Sequence, residues 1–402
     1  MPRLIADRPI LRTSSELAQV MASAAAREAD GQRIIHLERG EPDFETPRHI
    51  VEALAAAARE GATHYPDPCG ALPLRVALAD KVARANGIQC HPEDIVVTAG
   101  ATQGLFMAFY SLLAPGDEIL LFSPYWMMVP RMIGLVEGAR PRAFPVYLDL
   151  MEGALASGDL ADRLRAALRP ETRGLYLNTP NNPSGAVRAR EPLEAIAAVA
   201  IERDLWVVSD EAYEHILFDG ARHVSLASLP GMAERTISVF SFSKSYAMTG
   251  WRMGYVVSPP PLRPVLGPTL GALTTYGVFP AVQSAGLAAL RGPQQHVETM
   301  RRAYEERRDA LLAGLEGQTT LRVPRPGGAF YAFPDVSAAL EGRTDWDLVR
   351  DWLELGLAVL PGSAFGPHPD RVRLSLATRR DDVIEAARRL RERYAGVKRR
   401  PH

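Results

Sequence analysis

Short apolar runs alternate with longer stretches of helical periodicity between about residues 51 and 282. The runs are rich in β-branched and aromatic residues and are bounded by turn residues, which is typical of strands buried on both faces. The clearest predicted strands span residues 119–122, 174–178, 205–209 and 236–240. A predicted helix over residues 191–203 leads directly into the third of them. This alternation predicts an α/β fold with a mostly parallel sheet covered by helices on both faces.

The rhythm changes after about residue 284. A long helical stretch rich in Arg and Glu covers residues 297–315, a segment rich in Gly and aromatic residues follows at 327–333, and a final helix covers 381–394. We expect these elements to form a second, smaller α+β domain. The predicted boundaries place residues 45–285 in the large domain. The small domain then contains residues 286–402 and residues 1–44, which include an N-terminal arm.

The charge balance excludes several classes of function. Lys and Arg together number 46 and Asp and Glu number 47, so no field of one sign can hold nucleic acid or an anionic membrane. No apolar run is long enough for a secretory signal or a membrane span. The two cysteines, Cys69 and Cys90, are too few for a disulfide framework. We therefore expect a cytoplasmic protein that binds neither nucleic acid nor membrane nor a metal ion.

Lysine is rare in this chain, which makes each lysine informative. Only three of the 46 Lys and Arg residues are lysines. A lysine differs from an arginine in that its amine can lose a proton and form a Schiff base. We expect Lys398 in a solvated tail and Lys81 on the polar face of a helix. Lys244 instead follows a predicted strand in a turn rich in hydroxyl groups, and it becomes the candidate for chemistry.

Polar residues also follow two other predicted strands, at the sheet edge where open α/β folds bind their ligands. Asp210 follows strand 205–209, with Tyr213 three residues later, and Asn182 lies in the Asn-Asn-Pro-Ser-Gly turn after strand 174–178. Helix capping explains Asp210 as well as ligand binding does. The Asn182 segment, taken alone, is an ordinary turn.

A turn of small residues at 98–103 opens a predicted helix over 104–113. Free N–H groups and the helix dipole suit such a turn to a phosphate, although an ordinary helix cap has the same sequence. The chain has no Gly-x-Gly-x-x-Gly fingerprint after a strand and no P-loop, so a dinucleotide or nucleoside triphosphate site is not supported.

Taken together, these groups meet the needs of pyridoxal 5′-phosphate. This cofactor needs an amine to hold it, an acid beside its ring nitrogen, donors to its ring oxygen, a phosphate site and a flat face to stack on. In that order the candidates are Lys244, Asp210, Asn182 with Tyr213, Thr102 with Ser241, and Trp126. A core aromatic role explains Trp126 alone at least as well.

The order of these motifs resembles that of the class I/II aminotransferases of the aspartate aminotransferase superfamily, which are fold-type I pyridoxal-phosphate enzymes. The resemblance covers almost the whole chain, from residues 40–44 to 373–375. It implies that an amino group moves from an L-amino acid to a 2-oxo acid by a ping-pong mechanism. The implied catalytic residues are Lys244, Asp210 and Tyr213. The implied cofactor-binding residues are these three with Asn182, Trp126, Ala101, Thr102, Ser241, Arg252 and Tyr65, and the implied substrate-binding residues are Gly40, Asn182 and Arg373.

The resemblance also bears on partners and on specificity. Tyr65 would reach the phosphate of a neighbouring subunit, which implies a homodimer with shared active sites. Thr102 stands where some bacterial aspartate aminotransferases of this branch have a lysine that holds the distal carboxylate. Arg12 in the N-terminal arm is the available substitute. We therefore expect neutral or aromatic amino acids to be favoured over aspartate, with Tyr276 and Phe279 as candidate rim residues.

Two other functions fit the same scaffold. One is a pyridoxal-phosphate lyase, such as a cysteine-conjugate β-lyase or a cyclopropane-forming synthase, which uses the same lysine and aspartate. The other is a regulator built on an aminotransferase-like domain. Regulators of that kind carry an added DNA-binding module, for which the near-neutral chain leaves little room.

Overall fold

The computed structural model describes residues 16–395, and within that range the chain forms twelve strands and fifteen α-helices. The strands are β1 (Ile35–His36), β2 (Ile95–Thr98), β3 (Glu118–Ser123), β4 (Arg140–Pro145), β5 (Thr172–Asn178), β6 (Trp206–Asp210), β7 (Thr236–Ser241), β8 (Gly254–Val257), β9 (Tyr331–Ala332), β10 (Leu357–Ala358), β11 (Leu360–Pro361) and β12 (Val372–Ser375). The helices are α1 (Glu16–Ala29), α2 (Arg48–Arg59), α3 (Leu72–Lys81), α4 (Ala101–Leu112), α5 (Val129–Ile133), α6 (Tyr147–Met151), α7 (Ser157–Ala167), α8 (Arg190–Glu202), α9 (Phe242–Ser245), α10 (Arg263–Thr274), α11 (Pro280–Arg291), α12 (Gln295–Gly314), α13 (Ser337–Leu340), α14 (Asp345–Glu354) and α15 (Arg380–Arg393).

Seven strands form the central sheet, in the order β2-β8-β7-β6-β5-β3-β4. Neighbouring strands from β7 to β4 run parallel, and β8 runs antiparallel to both of its neighbours. Strands β5, β6 and β7 lie side by side and end at Asn178, Asp210 and Ser241. Since their carboxyl ends lie at one edge, the polar residues that follow them are brought together there.

Alternate residues of the sheet pack against different helical layers, as strands buried on both faces require. In β3, Ile119 and Leu121 pack with residues of α4 and α10, whereas Leu120 and Phe122 pack with residues of α7 and α8. All four of these strand residues are fully buried. The predicted α/β fold class is confirmed.

The C-terminal elements form two smaller sheets. Strands β11, β12 and β9 form an antiparallel sheet, and β1 pairs in parallel with β10. Helix α1 packs here as well, because Val20 and Ala24 belong to the same hydrophobic core as residues of α12, α14 and α15. This core matches the content expected of the small domain, whose boundaries remain a prediction.

The predicted helices and strands lie within three residues of the observed ones. The largest difference is at α4, which begins at Ala101 rather than at residue 104. Gly100 adopts a φ of 77° and ends the preceding loop, so the small residues that follow it already belong to the helix. No helix in residues 16–395 combines the length and the apolar character that a membrane span needs.

Lys81 lies in a helix, α3, as expected, but its side chain does not face solvent. Its side chain is only 12% exposed, forms an ion pair with Glu214 and donates to Oδ1 of Asn86 at 2.9 Å. Local periodicity correctly marked a polar position, but it could not show that a carboxylate 133 residues away covers it. Arg12 and Lys398 lie outside the described residues.

Candidate active site

A cavity of about 700 Å³ lies at the carboxyl ends of β5, β6 and β7, where the central sheet meets β12. Its wall contains Gly40, Ala101, Thr102, Trp126, Asn182, Asp210, Tyr213, Ser241, Lys244, Arg252 and Arg373, all of which the sequence predicted for the site. Tyr65 is the one predicted cofactor-binding residue that is absent from this wall.

Lys244 lies in α9, the short helix that begins directly after β7. Its Nζ donates to the carbonyl oxygen of Gly40 at 2.5 Å. Burial lowers the pKa of Lys244 to about 8, and the guanidinium groups of Arg373 and Arg252 act in the same direction against the nearby Glu41 carboxylate. The amine therefore loses its proton more readily than a solvated lysine, as a nucleophile requires.

Asp210 is the last residue of β6 and is almost fully buried. Its carboxylate accepts hydrogen bonds from the Tyr176 hydroxyl at 3.0 Å and from the Ala212 N–H at 3.2 Å. Burial raises the pKa of Asp210 to about 6, because these neutral donors compensate only part of the lost hydration. A cation placed against this carboxylate would be strongly favoured.

A chain of hydrogen bonds links Asp210 to the opposite wall of the cavity. The Asn178 amide donates to the carbonyl oxygen of Asp210 at 2.9 Å, and Oδ1 of Asn178 accepts from the N–H of Asn182 at 2.7 Å. Oδ1 of Asn182 then accepts from Nη1 of Arg373 at 3.2 Å. The side chain of Asn182 thus connects the loop after β5 to strand β12.

Arg373 is a buried guanidinium to which no carboxylate of residues 16–395 is hydrogen-bonded. It is 4% exposed, its Nη2 donates to the carbonyl oxygen of Glu38, and its Cζ lies 4.5 Å from the centroid of the Tyr331 ring. Its Nε has no hydrogen-bond partner among residues 16–395. Burial lowers the pKa of Arg373, which marks a cation that would gain from binding an anion.

Tyr213 faces the same cavity and pairs with a second tyrosine. The hydroxyl groups of Tyr213 and Tyr331 lie 3.0 Å apart, and both side chains are buried. Burial raises the pKa of Tyr213 well above its ordinary value. Its hydroxyl therefore stays protonated at neutral pH and can donate to an anionic oxygen.

A small cationic cradle lies at the N-terminus of α4. A Cβ atom on Gly100 would lie 2.5 Å from Nη2 of Arg252, and one on Gly254 would lie 2.6 Å from the Ala101 nitrogen. The two glycines therefore let the Arg252 guanidinium and strand β8 pack closely against the start of α4, a 12-residue helix whose first N–H groups have no partner within the helix. Ser241 borders this cradle and caps α9 by accepting from the Ser243 N–H at 3.1 Å. Such a cradle suits a phosphate group.

The remaining wall is mostly apolar. Leu17 and Met21 of α1, Met127 and Leu360 line it together with Trp126. Two charged residues interrupt it. Glu41 accepts a hydrogen bond from the Thr249 hydroxyl. Arg39, whose side chain is 51% exposed, lies 3.5 Å from the buried carboxylate of Glu38.

Three predicted residues lie outside the cavity wall of a single subunit. Tyr65 is 80% exposed and stacks on Tyr276, with 4.2 Å between ring centroids. Phe279 is 47% exposed and lies in the connection between α10 and α11. Tyr276 and Phe279 were expected at the rim of the substrate site. Within one chain neither lines the cavity, and both side chains are exposed on the surface.

Among the residues that the sequence does not predict for the site, four polar ones border it or contact its residues and enter the account of its function: Tyr176, Asn178, Tyr331 and Arg39. Asn178 could have been found, because it ends a predicted strand beside the one that ends at Asp210. In the sequence Tyr176 is one residue of an apolar run, and its hydroxyl contact with Asp210 depends on the register of two strands. Arg39 has no signal of its own in a chain with many arginines.

Comparisons with known proteins agree with this geometry. The family described as aminotransferase class I and II matches residues 32–390. The chain is 39% identical to the aspartate/prephenate aminotransferase of Thermus thermophilus over 388 residues, which is 95% of this chain and 96% of that protein. It is also 39% identical to the arginine–pyruvate transaminase of Pseudomonas aeruginosa, covering 91% of each protein. The aromatic aminotransferase structure from Pyrococcus horikoshii superposes with a TM-score of 0.84 at 37% identity, covering 92% of this chain and 99% of that chain.

Fold, cavity and comparisons together define an enzyme that transfers amino groups. The chain belongs to the aminotransferase class I and II family. The hypothesis of a regulator on this scaffold is accordingly set aside, because the relatives are enzymes that match over nearly the full length.

Proposed function

We propose that this aminotransferase binds pyridoxal 5′-phosphate through Lys244 and moves the amino group of an L-amino acid to a 2-oxo acid by a ping-pong mechanism. The observation that carries the proposal is the pairing, across one cavity, of an amine of lowered pKa with a buried carboxylate of raised pKa. Lys244 and Asp210 are each suited to one end of an electron-withdrawing pyridine ring.

The residues present fit that cofactor in charge and in space. The cradle beside Arg252 matches a phosphate, and the Asp210 carboxylate, whose described hydrogen-bond donors are both neutral, matches a protonated ring nitrogen. Lys244 would hold the cofactor covalently, Asp210 would pair with the ring nitrogen, Asn182 and Tyr213 would bind the ring oxygen, Trp126 would stack on the ring, and Ala101, Thr102, Ser241 and Arg252 would bind the phosphate.

The bound cofactor supplies an electron sink for the electrons left at the substrate's α-carbon. Lys244 moves the proton. Its Nζ, an amine of lowered pKa, would take the α-proton and give it back at a different atom. Asp210 would pair with the protonated ring nitrogen, and Tyr213 would donate to the ring oxygen with a hydroxyl that does not ionise near neutral pH.

Arg373 is proposed to bind the substrate's α-carboxylate. A guanidinium can bind a carboxylate through two parallel hydrogen bonds, and Arg373 has an Nε without a partner in the described chain. Asn182 and the backbone at Gly40 border the same space. This contact orients the α-carbon and so selects which of its bonds is broken.

The wall that faces the substrate's side chain supports a preference for neutral or aromatic amino acids over aspartate. Leu17, Met21 and Leu360 present apolar surface there, and Thr102 brings no charge. We further assign Arg39 to the distal carboxylate of a dicarboxylic acceptor such as 2-oxoglutarate. Its half-exposed side chain can turn toward an entering carboxylate, because the buried Glu38 carboxylate then keeps its hydrogen bond to His36 at 2.8 Å.

We also propose that the active unit is a homodimer with shared active sites. Tyr65, Tyr276 and Phe279 leave a cluster of exposed aromatic surface on one chain, together with Leu72 at 56% and Leu273 at 46% exposure. Apolar surface of this kind marks an interface, and a second copy would bring Tyr65 to a neighbouring cradle. Cys69 and Cys90 are free thiols, which agrees with the expected cytoplasmic compartment.

The test is a panel of amino donors read against 2-oxoglutarate and pyruvate, with the cofactor's absorbance followed in each half-reaction. We expect neutral and aromatic donors to convert the cofactor to its amine form and either oxo acid to reverse the change. Release of ammonia and pyruvate from a β-substituted amino acid, without that reversal, would indicate the lyase instead. Absence of any absorbance change would contradict the proposed activity.

A further inference from the structure

A buried polar network lies behind the cavity, next to the segment 210–214 that carries Asp210 and Tyr213. It consists of Lys81, Asn86, Glu211, Glu214, His223 and Ser225, and none of these side chains lines the cavity. Glu211, Glu214, Asn86 and Ser225 are all more than nine-tenths buried. We call this group the rear network.

One half of the rear network holds Glu214. Its carboxylate pairs with Lys81 on one oxygen and accepts from the Asn86 amide at 2.7 Å on the other. Burial alone would raise the pKa of Glu214, but the Lys81 ammonium and the neighbouring imidazoles outweigh it and lower the pKa to about 2. Glu214 is therefore anionic at neutral pH and needs Lys81 as its counter-charge.

The other half holds Glu211, the residue next to Asp210. Its carboxylate accepts from the Ser209 hydroxyl at 3.0 Å, from Nε2 of His223 at 2.6 Å and from the Ser225 hydroxyl. Ser225 in turn accepts from Asn86 at 2.9 Å, so the two halves form one connected system. Both glutamates of the segment are thus fixed: Glu211 directly follows Asp210, and Glu214 directly follows Tyr213.

Lys81 links this system to the strand that leads to Lys244. Its Nζ lies 4.6 Å from the ring centroid of Phe240, in β7, one residue before the strand ends at Ser241. The chain makes a π-helical turn at Val82–Asn86 directly after Lys81, and this turn carries Asn86 into the network. Turns of this kind are rare and concentrate at functional positions.

A contribution to the stability of the fold does not by itself explain the buried ion pair of the rear network. Replacing a buried ion pair by well-packed apolar residues often leaves the stability of a protein unchanged or raises it. We propose that the rear network positions the cofactor-binding side chains. Glu211 and Glu214 hold the segment that carries Asp210 and Tyr213, and Lys81 ties that segment to the end of β7. The residues of the network are positioning residues, and the inference depends on the proposed cofactor.

The deciding variant replaces the ion pair by apolar residues of similar length, Lys81→Met with Glu214→Leu. Three properties are measured: the urea midpoint of the cofactor-free protein, the Kd for pyridoxal 5′-phosphate, and the visible circular dichroism of the bound cofactor. We expect a modestly lower urea midpoint, because the buried Asn86 loses its hydrogen bonds to Lys81 and Glu214 and keeps the one to Ser225. We also expect a Kd raised on the order of tenfold, as outer-shell partners of a binding site cost, and a reduced dichroism band. The dichroism reports the orientation of the ring, which a merely structural role would not change.

Arg142→Met is the matched control. Arg142 pairs with the buried Glu118 through two hydrogen bonds of 2.7 Å at the opposite end of the sheet. This variant should lower the urea midpoint and leave both cofactor measurements unchanged. Lys81→Arg, which keeps the charge, should stay closer to the parent in Kd than the double variant does.

Parent-like Kd and dichroism in the double variant would overturn the inference. If that variant does not fold, Ser225→Ala decides, since it removes one donor from Glu211 and one acceptor from Asn86. An unchanged Kd in Ser225→Ala would then overturn the inference. A parent protein that binds no pyridoxal 5′-phosphate would contradict the proposed function instead, so the two failures are distinguishable.

Discussion

Asp210 should destabilise the cofactor-free protein at neutral pH. Burial raises the pKa of this carboxyl from 3.8 to about 6, a difference of about two units or ~3 kcal/mol at 1.36 kcal/mol per unit. A group whose pKa is raised in the folded state contributes stability below its unfolded pKa and loses it as the pH rises through the folded value. The loss therefore falls between about pH 4 and pH 6.

Asp210→Asn removes this charge and keeps the shape of the side chain. The amide retains one oxygen, which can accept from Tyr176 or from Ala212 but not fully from both, at a cost of ~1 kcal/mol. We expect the cofactor-free variant to match the parent near pH 4.5 and to exceed its free energy of unfolding by ~2 kcal/mol at pH 7.5. The same variant should bind pyridoxal 5′-phosphate more weakly, because an amide cannot neutralise a ring cation.

Urea unfolding of the cofactor-free proteins, followed by far-ultraviolet circular dichroism at the two pH values, measures the difference. Asp335→Asn is a control whose effect should not depend on pH in this range. Hydrogen bonds from Ser337 and the charge of Arg371 outweigh burial and lower the pKa of Asp335, so this carboxyl is ionised at both pH values and the variant should lose the same stability at each. A difference between Asp210→Asn and the parent that does not change with pH would refute the reasoning.

The remaining predictions concern catalysis. Lys244→Ala should abolish turnover and the visible absorbance of bound cofactor while the far-ultraviolet spectrum stays that of the parent; retained turnover would remove Lys244 from its role. Arg373→Ala should raise the KM for every amino acid roughly 10- to 100-fold, since a hydrogen-bonded charge pair contributes ~1.5–3 kcal/mol, and unchanged steady-state kinetics would place the carboxylate elsewhere. Arg39→Gln should raise the KM for 2-oxoglutarate several-fold and leave the KM values for pyruvate and for a neutral donor unchanged. An equal change in all three KM values would mean that Arg39 maintains the structure of the cavity entrance and does not bind the distal carboxylate.

The strands and the residues that end them are predictable from sequence because their cause is local. Apolar runs define β5, β6 and β7, and a parallel arrangement necessarily gathers the polar residues that follow them. Strand β4 is harder to predict, because Pro141 and Pro145 interrupt its pattern. The edge of the sheet tolerates them, since β4 has a hydrogen-bonded neighbour on one side only.

Contacts between residues far apart in sequence account for what could not be predicted. The sequence around Lys81 is typical of a solvated residue, and only the fold shows that Glu214 pairs with it. Likewise, the position of the Tyr331 phenol depends on the pairing of β9 with β12. Arg39 is one arginine among many, and only the cavity distinguishes it. Periodicity tells which face of an element a residue occupies, but it does not tell which distant element covers that face.

The attachment of the cofactor to Lys244 is tested most directly by borohydride reduction of the protein loaded with pyridoxal 5′-phosphate, followed by peptide mass mapping. With only three lysines in the chain, the result is unambiguous. We predict that the phosphopyridoxyl mass is found on the peptide that contains Lys244. Its appearance on Lys81 or Lys398 instead, or on no peptide at all, would contradict the account.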